Sequence, residues 1–400
     1  MTPRSGRRPY DDRDVETNAS LNHAGFLAYQ FLKIQEANFR ETCVAPLFGK
    51  AYNEKLLRPR MDHLPMTPRL SLSSHIYREQ ASIAGANGEF SLIMMRIALG
   101  GKLIARDLRS AGLSQFMGSA GSVNVQGEEV QKFDERANRI FLEVFEHQVL
   151  VSTLVSEEME KPYLIKAADG KGKYAVFLDP MDGSSNIDVN ASLGSIFSIH
   201  RLPGEGFPAS EEVLRKKGCD QVAAGYFLYG SSVLLVYTCG HGVQQFTLDQ
   251  DAGEFFLSAN NIQIPTHGNI YSVNEGNHQK WSSGTRKFIH YLQEFDSRTG
   301  RPYSSRYSGC FVADVHRVLC KGGLYMYPGE QKKPEGKLRL MYEAAPLTFL
   351  IEQAGGLGST GVERVNQLTP QALHQRVPLY IGSPDDVIKA EEFLQSESTT

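Results

Sequence analysis

Cysteine is scarce in this chain and follows no pattern. Cys43, Cys219, Cys239, Cys310 and Cys320 are spread over 400 residues, an odd number with no CxxC spacing. That argues against a disulfide-rich secreted fold and for reduced thiols in a cytoplasmic protein. No apolar run approaches the roughly 18 residues of a membrane helix, so no membrane span is expected. Neither sign of charge dominates: 42 basic against 45 acidic residues leave a net charge of -3, which gives no nucleic-acid or membrane-surface signature. No repeat of 20–50 residues is present, which speaks against a solenoid. The first residues mix Arg4, Arg7, Arg8 and Arg13 with Asp11, Asp12, Asp14 and Glu16. Transit peptides are poor in acids, and a signal peptide needs an apolar core, so this reads as a solvated tail.

What the chain does have is ordinary globular composition, 41% hydrophobic and 22% charged, and two acidic segments placed after β-rich apolar runs. Val149–Val155 leads into Ser156-Glu157-Glu158, and Tyr174–Leu178 leads into Asp179-Pro180-Met181-Asp182-Gly183-Ser184-Ser185. In an α/β sheet, ligands bind at the carboxyl ends of strands. Four carboxylates meeting there would repel one another unless cations lay between them. An all-oxygen donor set suits magnesium or manganese rather than zinc. Gly183-Ser184-Ser185 offers N–H groups and hydroxyls to an anion. Metal, anion and acid in one crevice point to metal-assisted phosphate ester hydrolysis. Asp-Pro and Asp-Gly are also common turn formers, and paired glutamates are common on solvated surfaces. The residues alone leave both readings open and name no substrate.

Residues 1–70 carry one weakly amphipathic stretch, Phe26–Leu32, and are punctuated by Pro46, Pro59, Pro65 and Pro68; they read as an N-terminal extension. Phe90, Ile93, Ile97, Ile104 and Leu108 recur at helical spacing. Residues 112–127, rich in Gly and Ser, read as a loop, and a helix follows from about Phe133 to Glu146. Short alternating runs between residues 220 and 275 predict a sheet. The predicted organisation is an N-terminal α/β domain over 71–262 bearing the carboxylates, a C-terminal α/β domain over 263–393, and a polar tail over 394–400. The second domain includes helices over Thr285–Phe295 and Ala345–Ala354 and a strand over Leu324–Tyr327.

These segments resemble fructose-1,6-bisphosphatase over nearly all of residues 72–391. The resemblance rests on Leu154–Glu158, Asp179–Asp188, Asn274-Glu275-Gly276, Arg306-Tyr307, Val312–Arg317, Gly336–Leu340, Tyr342-Glu343 and Ile381–Asp386, in family order. It implies the layered αβαβα sugar phosphatase fold, a homotetramer, and hydrolysis of the 1-phosphate of fructose 1,6-bisphosphate in gluconeogenesis or carbon fixation. Position by position, Glu157, Asp179, Asp182 and Glu343 match the family's metal ligands, with the Met181 carbonyl as a backbone ligand. Asp134 and Glu158 match the pair that activates the attacking water. By residue type alone Asp134 is an ordinary helix-start acid. Glu128 stands where the family usually has Asp in a mobile loop, one methylene longer.

The resemblance further assigns the 1-phosphate to Gly183, Ser184 and Ser185, and the 6-phosphate and sugar to Asn274, Tyr307, Tyr327 and Lys337, with Arg339 beside them. Arg306 matches an arginine that reaches a neighbouring subunit's site. Asn277 stands where many animal members have tyrosine. Animal-type members also bind AMP; the matching positions are Gly88, Glu89, Ser91, Lys173, Tyr174 and Arg201, with Asn87 and Ser91 standing where Thr is usual. No cysteine lies between Cys43 and Cys219, which speaks against plastid-type thiol control. Two other readings compete: sedoheptulose-1,7-bisphosphatase, which shares the metal core, and a non-catalytic regulator that keeps the fold.

Overall fold

The computed structural model describes residues 69–81, 87–113, 118–123, 129–169, 171–204 and 210–396. The expected extension up to residue 68, and Glu128, lie outside the described residues. Residues 69–400 make one compact unit, built on two sheets. Among the described residues, no helix is long and apolar enough to cross a membrane.

The larger sheet has eight strands in the order β10-β9-β8-β7-β6-β5-β3-β4. They are β3 (Val151–Ser156), β4 (Tyr163–Leu164), β5 (Tyr174–Asp182), β6 (Leu193–Arg201), β7 (Gln221–Tyr229), β8 (Val233–Thr238), β9 (Gln244–Asp249) and β10 (Glu254–Ala259). Helices α1 (Leu72–Ala81), α2 (Glu89–Arg109) and α3 (Lys132–Phe145) cover one face. The 3.6-residue stripe of α2 does this as the sequence predicts: Ile93, Ile97 and Ile104 are buried against Phe141, Phe197 and Phe227.

The smaller sheet has five strands in the order β12-β11-β13-β17-β15: β11 (Ile270–Ser272), β12 (Ser304–Ser305), β13 (Leu324–Tyr327), β15 (Leu357–Ser359) and β17 (Leu379–Gly382). Between the sheets lie α5 (Phe311–Lys321) and α6 (Ala345–Gln353), whose Val312, Val315, Leu347 and Leu350 share a core with Ile196, Tyr226 and Ile381. On the far face lie α4 (Ser283–Gln293) and α7 (Pro384–Gln395) around Phe288, Ile289 and Val387. The layering is thus helix, sheet, helix, sheet, helix, an α/β fold.

Three local features differ from expectation. The Gly/Ser-rich stretch holds strand β1 (Ser119–Val123), paired antiparallel with β2 (Glu129–Gln131). A backbone ladder needs no particular side chains, so composition did not reveal it. Strand β5 runs on through Asp179-Pro180-Met181-Asp182, four residues beyond the Tyr174–Leu178 run read from the sequence. The ladder with β6 is irregular between Asp179 and Asp182, the setting in which a strand tolerates proline, and the Pro180 carbonyl accepts from Ser195 Oγ at 2.7 Å. Helix α7 carries through Gln395, and Leu394, expected in the polar tail, packs in the outer core.

Two choices in this architecture place the functional residues. The β3–β5 pair is parallel, whereas β5 and β6 are antiparallel, so the carboxyl ends of β3 and β5 open on the same side. Asp182 at the end of β5 is registered opposite Gly194 of β6. A Cβ at Gly194 would stand 2.5 Å from the Val312 side chain, so glycine lets the start of α5 lie directly on the sheet. Gly194→Ala should therefore push α5 off Asp182 and cost about 1–3 kcal/mol through overpacking. Urea unfolding checks this, and an unchanged midpoint would contradict the close approach.

Candidate metal centre and anion-binding crevice

A crevice of about 580 Å³ opens where the two sheets meet. Asp134, Glu157, Glu158, Asp179, Met181, Asp182, Gly183, Ser184, Ser185, Tyr307, Tyr327, Lys337, Arg339 and Glu343 all line it, together with Phe311 and Tyr325. These residues come from β5, α3, α5 and β13, from β14 (Leu338–Arg339), from the turn that follows β3 and from other turns beside them.

Glu157 leaves β3 with its N–H bonded to the Leu178 carbonyl at 3.1 Å. Asp179 is buried in β5, and its Oδ1 accepts from Met181 N at 3.0 Å. Glu343 arrives from far along the chain in a single π-helical turn, Leu340–Ala344, just before α6. Wide turns of this kind occur preferentially at functional sites. The carboxylate oxygens of Glu157, Asp179 and Glu343 lie within 4.8 Å of one another. Burial pushes the Asp179 carboxyl well above the usual carboxylate range, and Glu157, Asp182 and Glu343 push it further. Burial, then Glu157, raise Glu343 likewise, opposed by Arg339. Three converging carboxylates with no softer donor fit a hard divalent cation.

Asp182 is held differently. Its Oδ2 accepts from Val312 N at 2.7 Å and from the Cys310 thiol at 3.0 Å, and its Oδ1 accepts from Phe311 N at 3.1 Å. It therefore binds the N-terminal end of α5, where free N–H groups and the helix dipole favour negative charge. Burial raises its pKa, and these three donors pull the other way. Gly183 follows in a left-handed conformation, φ 76°, where a Cβ would stand 2.8 Å from Cys310 Cβ. The glycine of the Asp-Gly pair thus serves close packing as well as the turn. Ser184 then opens a 3₁₀ turn, Ser184–Val189.

Arg339, 1% exposed, extends along the crevice wall. Its Nη2 lies 3.5 Å from Glu157 Oε1, and its Nη1 donates to the Lys337 carbonyl at 2.7 Å. Its own N–H donates to Glu343 Oε2 at 2.6 Å. Arg339, expected beside the substrate donors, lines the crevice with them and sets its guanidinium toward Glu157 of the cluster. Burial, with Tyr327 nearby, raises the Tyr307 hydroxyl pKa and keeps it a donor.

Asn274 and Arg306 do not line the crevice. Asn274 caps a 3₁₀ turn, accepting from Gly276 N at 3.1 Å, and Arg306 is exposed, donating to the Ser305 carbonyl. Of the positions matched to AMP binding, Glu89, Lys173 and Tyr174 meet: Lys173 Nζ donates to Glu89 Oε1 at 2.7 Å and Tyr174 OH to Oε2 at 3.3 Å. The Lys173 bond is the main cause that lowers the Glu89 pKa. Gly88 precedes them as the left-handed N-cap of α2, Arg201 is registered opposite Tyr174, and the Ser91 hydroxyl donates to Gln80. Sequence reasoning missed Cys310. Its signal was a small polar residue just ahead of an apolar helical run, the N-cap position it occupies.

The family model for the fructose-1,6-bisphosphatase N-terminal domain matches residues 70–260, and that for the C-terminal domain matches residues 264–395. A class 1 fructose-1,6-bisphosphatase of Trichormus variabilis is 49% identical over 327 residues, covering 82% of this chain and 92% of the relative. That of Chlorobaculum tepidum is 49% identical over 334 residues, covering 83% of this chain and the whole of the relative. The crystal structure of Leishmania major fructose-1,6-bisphosphatase in holo form superposes with a TM-score of 0.77 at 40% identity, covering 82% of this chain and 99% of that one. Its T-state form gives 0.74 at 39% identity, over the same shares of both chains.

The carboxylate cluster carries a pH-dependent cost in the metal-free protein. Because Asp179 has a raised pKa when folded, the folded state holds a proton that the unfolded chain has released. Its contribution to stability therefore falls as pH rises from the ordinary carboxylate range through the raised value. In chelator at pH 8, Asp179→Asn should melt higher than the wild type, with the gap closing on acidification; in magnesium the order should reverse. Thermal melts across pH would expose an error if the variant melted lower in chelator.

Proposed function

The chain belongs to the fructose-1,6-bisphosphatase family, and on that premise we propose that it hydrolyses the 1-phosphate of fructose 1,6-bisphosphate with magnesium as cofactor. One observation carries the reading. The carboxylates of Glu157, Asp179 and Glu343 sit in the same crevice as the donors Lys337, Tyr307 and Tyr327, and a sugar with two phosphates needs both. Glu157, Asp179, Asp182 and Glu343, with the Met181 carbonyl, are the residues that would hold the metal; manganese suits the same oxygens. When bound, such ions supply charge neutralisation for a phosphoryl group and acidify a water.

The chain's own groups account for the rest. Ser184 and Ser185 meet the 1-phosphate with hydroxyl and N–H donors. The Lys337 ammonium, with the Tyr307 and Tyr327 hydroxyls, holds the 6-phosphate and the sugar. Glu158 and Asp134 take the proton of the attacking water at a carboxylate oxygen. Arg306, exposed and outside the crevice of its own chain, suits a bidentate phosphate contact in a neighbouring subunit, which supports a homotetramer. AMP is the proposed regulator at Gly88, Glu89, Ser91, Lys173, Tyr174 and Arg201, its phosphate drawn to the Lys173 end. The four described cysteines are free thiols, in keeping with a reducing, cytoplasmic setting.

Phosphate release from fructose 1,6-bisphosphate, assayed with magnesium and again in chelator, is expected in magnesium alone. Folded protein that releases none in either condition would refute the proposed activity. Lys337→Ala removes a charge-assisted hydrogen bond shared by ground and transition states, so KM should rise about 10–100-fold with kcat little changed. A variant with normal KM and crippled kcat would remove Lys337 from phosphate binding.

A further inference from the structure

Tyr342 and His374 form a polar joint behind the crevice that none of the roles above uses. The Tyr342 hydroxyl, fully buried, meets His374 Nδ1 at 2.8 Å, and His374 Nε2 meets the carbonyl of Glu160 at 3.1 Å. Neutral imidazole with its proton on Nε2 satisfies both ends: Tyr342 donates to Nδ1, and Nε2–H donates to Glu160. The ring is also packed edge-on against Tyr342, centroids 5.8 Å apart.

The joint ties together the two chain segments that supply the carboxylates. Tyr342 adjoins Glu343 in the π-helical turn. Glu160 closes the short loop of Glu157 and Glu158. The loop is pinned at its start, where the Glu157 N–H bonds to β5 and the Glu158 and Met159 N–H groups bond back to Ser156, and its far end is held by the Glu160 carbonyl on His374. His374 is itself immobilised, because the residues after it are sewn to the crevice wall. The Gln375 carbonyl accepts from Leu340 N at 2.7 Å, and β16 (Arg376–Val377) pairs antiparallel with β14.

We propose that Tyr342 and His374 are positioning residues that set the separation of Glu157 from Glu343, and with it the affinity for the divalent cation. The proposal rests on the reading of the carboxylate cluster as a metal centre. Partners that orient metal ligands typically change affinity 10–100-fold when removed. Here the joint acts through backbone rather than on the carboxylates, so the low end applies. The experiment is calorimetric titration of the metal-free full chain with magnesium, and separately with manganese, without substrate.

Tyr342→Phe and His374→Ala should each weaken binding by about tenfold. The double variant should be no worse than either single one, since both break one connection. Tyr226→Phe serves as the control: Tyr226 OH also meets a histidine Nδ1 at 2.8 Å, that of His316, away from the crevice, so the same deletion there should leave the affinity unchanged. Wild-type binding with unaltered affinity in the two joint variants, or an equal loss in Tyr226→Phe, would overturn the joint alone. Wild-type protein that takes up neither cation would overturn the metal centre and the joint with it.

Discussion

Like charges held together out of water set the terms for this structure. Asp179 and Glu343 are buried, Glu157 is nearly so, and their oxygens converge. Burial and mutual repulsion both oppose that arrangement in the absence of a cation. It persists because the backbone leaves the side chains little choice. Asp179 is fixed inside β5, Glu343 inside a π-helical turn between two buried segments, and Glu157 at the end of a strand paired in parallel with β5. The local cost in stability leaves a pre-formed cluster that could hold a divalent cation.

Helix α5 is the second organising element. Its first turn donates to Asp182, its flank packs on Gly194, and its far side enters the core of the smaller sheet. The same residue pattern thus fastens the two sheets together and neutralises part of one carboxylate. The donors on Asp182 come from N–H groups that a helix start leaves without partners in any case, so the contact needs no dedicated side chain beyond the Cys310 thiol.

Much of this was legible in the sequence because it is local. The stripe of α2, the strands before Glu157 and Asp179, and the turn glycines each declare themselves within a dozen residues. Convergence of Glu157, Asp179, Asp182 and Glu343 in one crevice rested on strand-end logic and on family motifs. What stayed hidden depends on contacts across the fold. The π-helical turn has no signature apart from ordinary helix residues, and the antiparallel pairing of β1 with β2 falls in a Gly/Ser-rich stretch that composition reads as loop. The approach of Arg339 to Glu157 likewise joins residues far apart in sequence, so no local pattern announces it. Arg306 and Asn274, by contrast, lie outside the single-chain crevice, as the exposure of a loop arginine and the capping habit of asparagine allow.

The cluster draws its members from distant parts of the chain, with Glu157 ahead of β5 and Glu343 beyond the five-stranded sheet's first strands. During synthesis the first sheet leaves the ribosome long before the π-helical turn does. A chain interrupted between them would present Glu157 and Asp179 without their third partner, and, if it stopped before Phe311, Asp182 without α5. A crevice with all three carboxylates therefore exists only once the chain has been made through the π-helical turn.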